Sequence, residues 1–127
     1  MGESCVLINC LVVGAGGFVG SVLRYLCSLI QTESAFPFAT LAINIVGSFL
    51  LAFVAEIVLK GSLDNEQLSL MLRVGLCGGF TTFSTFSFES MQLIQQGEVL
   101  VALSYIVLTC ALCVGTAFLG DWLAASW

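Results

Sequence analysis

Four long apolar runs, separated by short polar stretches, account for almost the whole chain. The first covers residues 5–27; it holds no charge from Cys5 to Leu23, and Arg24 closes it. A polar loop over residues 31–37 follows, and its Pro37 stands where a helix is about to start. The second run covers residues 38–59, and a turn with Asp64 and Glu66 leads to the third, residues 68–95, which carries Arg73 in its first turns. Gln96-Gly97-Glu98 make the last turn before the fourth run, residues 99–122, uncharged from Val99 to Leu119. Asp121, Trp122 and Trp127 mark its exit as an aromatic belt does. A helix needs ~20 apolar residues to cross a bilayer, and each run supplies them. The pattern predicts an all-α membrane protein: four transmembrane helices forming a single domain over residues 1–127.

The third run differs from the others. Gly75 to Glu89 reads Gly-Leu-Cys-Gly-Gly-Phe-Thr-Thr-Phe-Ser-Thr-Phe-Ser-Phe-Glu, dense in helix breakers and in side-chain oxygens. Gly78-Gly79 weakens a helix and the β-branched Thr81-Thr82 adds little to it. This predicts a third helix broken near Gly78-Gly79, over residues 78–81. Beyond the break, Phe80, Phe83 and Phe86 recur every three residues along one face, and Thr82, Thr85 and Glu89 form a polar ladder beside them. Broken backbone and polar side chains at membrane depth are tolerated where they are buried in protein or line a wet cavity. Ions or solutes should therefore meet the protein here.

Smaller signals sit in the other runs. Gly14-Ala15-Gly16-Gly17-Phe18-Val19-Gly20 looks like a dinucleotide-binding turn, but its third glycine comes one place late. Gly16 and Gly20 fit a small-residue face for close helix packing instead. Arg24 reads either as a terminal arginine snorkelling to the headgroups or as an anion attractor at a pore mouth. Asn44, with Thr40 one turn before it, is an amide that must find partners, as glue between helices or as a pore lining. Glu56 lies one turn before Lys60 near the end of its run and reads as structural or solvated. Tyr105, Thr109 and Cys113 share a face of the fourth run. Cys110-x-x-Cys113 has a redox or metal spacing, but without a second pair or a histidine it reads as packing.

Composition narrows the classes. Of 127 residues, 59% are hydrophobic and 9% charged, more apolar surface than a soluble domain of this size can hide. The net charge of −5 rules out a basic nucleic-acid footprint. Histidine is absent, and paired acids are missing, so nothing supports an enzyme. The first run lacks a basic leader and a small-residue cleavage site, and reads as a spanning helix rather than a signal peptide. Four spans put both termini on one side, with Lys60 and Arg73 in one connection and Arg24 opposite. That charge bias barely instructs orientation. A thin four-span chain inserted both ways can enclose a pathway by pairing as an antiparallel homodimer about an axis in the membrane plane.

Three segments carry a family resemblance. Gly78-Gly79-Phe80-Thr81-Thr82-Phe83-Ser84-Thr85-Phe86-Ser87-Phe88-Glu89 resembles the signature G-G-x-T-T-F-S-T-F-S-x-E of the small fluoride channels, the Fluc or CrcB family. Thr40-Leu-Ala-Ile-Asn44 is similar to its T-L-x-x-N, and Gly20-Ser-Val-Leu-Arg24 to its G-x-x-x-R. The resemblance implies a fluoride-selective channel of the bacterial inner membrane: an antiparallel homodimer among lipid, with two pores through which fluoride leaves passively. It implies Phe83, Phe86 and Asn44 as pore residues; Ser84, Thr85 and Glu89 as the polar track; Thr40 and Arg24 from the shorter motifs; and Tyr105 and Thr109 as hydroxyl positions on the fourth helix. It also implies a structural Na+ at the dimer interface, held by the carbonyls of Gly78 and Thr81. Cys113 stands where the family pattern has a small or hydroxyl residue, and Phe80 where it has leucine.

The residues make chemical sense of this. Fluoride is small and strongly hydrated, so a pore must replace its water. Hydroxyls and the Asn44 amide donate hydrogen bonds, and the edges of aromatic rings carry the positive part of the ring quadrupole. The rival reading is a small dual-topology, proton-coupled multidrug exporter. It would need an ionisable carboxylate within the first span, and Glu3 precedes that span.

Overall fold

The computed structural model describes residues 2–30 and 32–127; Gln31, where the sequence predicts the first polar loop to begin, lies outside them. Among the described residues every regular element is helical. In chain order these are α1 (Glu3–Ser28), α2 (Phe38–Leu59), α3 (Glu66–Leu70), a π-helical stretch (Met71–Cys77), α4 (Gly78–Phe80), α5 (Phe83–Gln95) and α6 (Val99–Ala125). Helices α1, α2 and α6 are each long and apolar enough to cross a membrane. The elements from α3 to α5 follow one another as a single interrupted rod. Large apolar side chains cover the outside: Phe18 is 71% exposed and Phe118 73%, as a lipid-facing surface requires.

The turns have local causes. The Asn65 side chain caps α3, its Oδ1 accepting from the Leu68 N–H at 2.8 Å. Both α2 and α5 end on a glycine in the left-handed region, Gly61 at φ 71° and Gly97 at φ 83°. In each case the residue after the glycine donates back into the last turn, Ser62 to Ile57 and Glu98 to Leu93, which satisfies carbonyls the helix end leaves open. Lys60, one turn after Glu56, sends its ammonium across to the end of α6. There it donates to the carbonyls of Ala124 (3.1 Å) and Ala125 (2.9 Å), the place where a helix dipole favours a cation.

Glycines set how closely the rods approach. The face of α1 that carries Gly16 and Gly20 lies directly on the interrupted rod. A Cβ at Gly16 would land on the Met71 carbonyl, and one at Gly20 on the Leu76 carbonyl. The fit is reciprocal: a Cβ on Gly75 would stand 2.7 Å from the Val13 oxygen, and one on Gly79 2.7 Å from the Gly17 oxygen. Gly47 on α2 likewise receives the Thr81 side chain.

The break falls at the end of the expected 78–81 stretch and one residue beyond it, rather than at the glycines themselves. Gly78–Phe80 is helical, with Gly78 at φ −65°, ψ −37°. The chain extends at Thr81 (ψ 157°) and Thr82 (φ −152°, ψ 119°). Packing explains the difference. Gly79 is used for contact with α1, which holds it helical, whereas Thr82 is drawn out of the helix by a partner on α2. The helix is also altered before the break, where the π-helical turns over Met71–Cys77 widen it.

Candidate functional site at the interrupted rod

Asn44 is the partner that opens the rod. Its Nδ2 donates to the Thr82 carbonyl (3.0 Å) while its Oδ1 accepts from the Thr82 N–H (2.8 Å). One buried amide thus satisfies both backbone groups of a residue that has left its helix, which removes the penalty for leaving them unpaired. Thr82 then caps α5: its Oγ1 accepts from the Thr85 N–H (3.2 Å) and lies 3.1 Å from the Thr85 hydroxyl and 3.3 Å from that of Ser84.

These bonds change what the carbonyls before the break can do. In an unbroken helix the Thr82 N–H would bond the Gly78 carbonyl and the Thr85 N–H the Thr81 carbonyl, four residues back. Both N–H groups are diverted, the first to Asn44 and the second to the Thr82 hydroxyl. Gly78 and Thr81 therefore carry carbonyls freed from helical bonding. The neighbouring Gly79 carbonyl is engaged by Arg24, whose Nε donates to it at 3.0 Å. The Arg24 side chain turns inward onto the interrupted rod instead of leaving for the headgroup level.

Glu89, two turns into α5, is held from both sides. Its Oε1 accepts from the Thr40 hydroxyl of α2 (2.8 Å) and its Oε2 from the Tyr105 hydroxyl of α6 (2.7 Å). Tyr105 is fully buried. Phe86 is buried against it at a ring-centroid distance of 5.1 Å, within a core that includes Leu41, Leu93 and Ala102. Phe83 stands 5.6 Å from Phe86, yet is 79% exposed. The two phenylalanines therefore differ: one is part of the core, the other presents its ring to the surroundings.

Open space lies on both sides of the break. A groove of about 330 Å³ runs past Ser21, Arg24, Thr40, Thr82 and Thr85. On the α6 side a second cavity of about 320 Å³ is bordered by Asn44, Ser48, Thr82, Phe83, Phe86 and Thr109, together with Cys110 and Cys113. Thr82 lines both. Glu89 borders a third space, of about 300 Å³, beneath Ser34 and Phe36. Thr109 is 6% exposed and its hydroxyl has no partner among the described residues. Buried hydroxyls nearly always have one, so this orphan calls for a partner from the cavity.

The structure thus gathers Thr40, Asn44, Thr85, Phe86, Glu89, Tyr105 and Thr109 around α5, with Phe83 and Arg24 on its flanks. Ser84 and Gly78 lie exposed at its surface. Two contributors were passed over by the sequence reading. Thr82, treated there as a rung of the polar ladder, is the joint itself. Ser48 lies one turn beyond Asn44 and borders the same cavity, and continuing the Thr40, Asn44 spacing by four residues finds it. Ladders at four-residue spacing on α2 (Thr40, Asn44, Ser48) and α6 (Tyr105, Thr109, Cys113) flank α5. Among the described residues no three His, Cys, Asp or Glu side chains converge as metal ligands.

Residues 11–121 match the family described as CrcB-like protein, Camphor Resistance (CrcB). Three relatives share the name "Fluoride-specific ion channel FluC". That of Chlorobaculum tepidum is 46% identical over 124 residues, covering 96% of this chain and 98% of its own. That of Ruminiclostridium cellulolyticum is 45% identical over 121 residues, 93% of each chain. That of Rhizobium meliloti is 41% identical over 113 residues, 87% of this chain and 90% of its own.

Proposed function

This chain belongs to the CrcB family, and from that premise we propose that it is a multi-pass protein of the bacterial plasma membrane that lets fluoride leave the cell passively. The observation that carries the reading is the orphaned Thr109 hydroxyl in a cavity shared with Asn44, Ser48, Phe83 and Phe86. That wall is mostly apolar, with a few hydrogen-bond donors set into it. Asn44 uses one amide N–H on Thr82 and retains a second. The hydroxyls of Ser48 and Thr109 and the ring edges of Phe83 and Phe86 complete a surface suited to a small anion stripped of water. Larger, weaker acceptors such as chloride gain less from the same donors and are rejected. Arg24 at the groove on the other side attracts anions to its mouth. At the level of Glu89 the hydroxyls of Thr40 and Tyr105 already serve a carboxylate, so a passing anion must exchange with it for the same donors.

The working unit in this proposal is an antiparallel homodimer with two pores, in which the interrupted rod serves as the third of four spans in each chain. The freed Gly78 and Thr81 carbonyls are hard oxygen donors and fit a Na+. Together with the same pair of the second chain they would hold it as a structural ion that ties the two breaks together. The exporter reading fares worse: α1 has no acid beyond Glu3 in its first turn. Fluoride and chloride efflux from liposomes containing the purified protein decides the matter, with fast electrogenic fluoride loss and negligible chloride loss expected. Equal efflux of both, or proton-coupled export of an organic cation, refutes it. Labelling of the termini from either side of the membrane tests the antiparallel pair, and both orientations are expected.

A further inference from the structure

The α6 wall of the Asn44 cavity carries Cys110 and Cys113. Set three residues apart, they stand on one helix face with Cβ atoms about 5–6 Å from each other. All six cysteines are free thiols, but these two border the same cavity, next to the buried, unpartnered Thr109 hydroxyl. We infer that Cys110 and Cys113 form a binding site for a soft, thiophilic cation, and that occupying it closes the route past Thr109. The inference deepens the proposed fluoride pathway and rests on that reading for its second half alone.

The chemistry selects the ion. Thiolate sulfur prefers soft cations over hard ones. With no third ligating side chain nearby among the described residues, the site suits an ion content with two ligands in line. Each thiol releases its proton to water as its sulfur bonds the metal. Two thiolates on a monovalent ion would leave a net negative charge in an apolar wall, which is unfavourable. Two thiolates on a mercuric ion are neutral overall, with no change of oxidation state and two protons set free. A divalent, two-coordinate soft cation therefore fits this wall, and mercuric ion is the probe. Once bound, the metal and its sulfurs stand beside Phe83, Phe86 and Thr109, the groups the anion must pass. A serine at either position keeps a small polar group but loses the soft ligand.

The test uses the full chain in two settings. In detergent, thiolate-to-mercury absorbance in the near ultraviolet is titrated for the wild type, C110S, C113S and the double variant C110S/C113S. The wild type is expected to bind one more mercuric ion per chain than the double variant, with each single variant at least tenfold weaker at that site. In liposomes, fluoride efflux of each protein is compared with itself before and after addition of mercuric chloride. At least tenfold inhibition is expected for the wild type and none for the double variant, although Cys5, Cys10, Cys27 and Cys77 remain. Equal binding by wild type and double variant overturns the site. Equal inhibition of the two, or an uninhibited wild type, overturns the closure. Should the wild type carry no fluoride at all, the proposed function fails while the absorbance titration still decides the site.

Discussion

The two sides of the interrupted rod are built on different principles. Before the break, the π-helical stretch and α4 meet α1 through backbone on backbone, with glycines admitting the contact: Gly16 and Gly20 from one side, Gly75 and Gly79 from the other. Among the described residues the one side-chain hydrogen bond across it is Arg24 to the Gly79 carbonyl. After the break, α5 meets α2 and α6 through oxygen and nitrogen side chains: Asn44, Thr40, Tyr105, Glu89. In a membrane, helices gain little from hydrophobicity alone and associate through close packing and polar contacts. This chain assigns those two means to separate halves. The dry half fixes where the rod sits. The polar half is where a solute can compete for hydrogen bonds.

The sharpest way to break the comparison is to enlarge a glycine of the dry half. Gly20→Val puts a branched side chain onto the Leu76 carbonyl and the Phe80 amide, both backbone and unable to step aside. Overpacking of this kind costs about 1–3 kcal/mol even where neighbours can shift, so loss of most folded protein is expected, read as the monodisperse fraction after detergent extraction. Gly14→Ala on the same helix is the control. Nothing lies within 4 Å of the added carbon, and removing a helical glycine gains up to about 1 kcal/mol. If the two variants extract equally well, the dry half is not the fixed support described above.

Next in size is Asn44→Leu, on the polar side. The branched shape is kept, but the Thr82 N–H and carbonyl both lose their partner. Each stranded buried group costs about 1–3 kcal/mol. The expected result is a lower melting temperature together with near-complete loss of fluoride flux. Thr40→Val, which removes one of two donors to Glu89 while Tyr105 remains, should melt close to the wild type and reduce flux less. A Thr40→Val more damaging than Asn44→Leu would move the joint from Thr82 to Glu89.

How much of this could be read from residues alone follows the same division. The apolar runs and the density of polar groups between Gly75 and Glu89 are local patterns, and the helices and the rod's interruption follow from them. The exact place of the interruption does not. Glycine's low helix propensity points to Gly78-Gly79, but propensity is a weak prior that tertiary contacts override. Here α1 holds Gly79 helical and Asn44, far away in sequence, pulls Thr82 out. The Arg24 alternatives were likewise undecidable from its position at the end of a run, because its acceptor lies on another rod. Phe83 and Phe86 show the same limit: three residues apart on one face, they look equivalent in sequence, and only the neighbouring Tyr105 separates them.

That last pair gives the smallest expected effect on stability and the cleanest separation of packing from function. Phe86 is buried against Tyr105, so Phe86→Ile removes a ring contact in the core as well as a ring edge at the cavity. A volume-conserving apolar swap there should cost roughly under 1.5 kcal/mol, with a modest drop in melting temperature alongside a steep loss of flux. Phe83 is 79% exposed and supports little. Phe83→Ile should leave melting and assembly unchanged while fluoride efflux still falls about tenfold or more, because isoleucine keeps the bulk but lacks the positive ring edge. Phe88, 55% exposed on α5, is the matched control. It points about 200° away from Phe86 and borders none of the grooves around the break, so Phe88→Ile should alter neither melting nor flux. Initial efflux and thermal melting of the three variants, measured side by side, are sufficient. A Phe83→Ile protein that melts and conducts like the wild type would make the exposed ring a lipid contact and leave Phe86 as the single aromatic of the pathway.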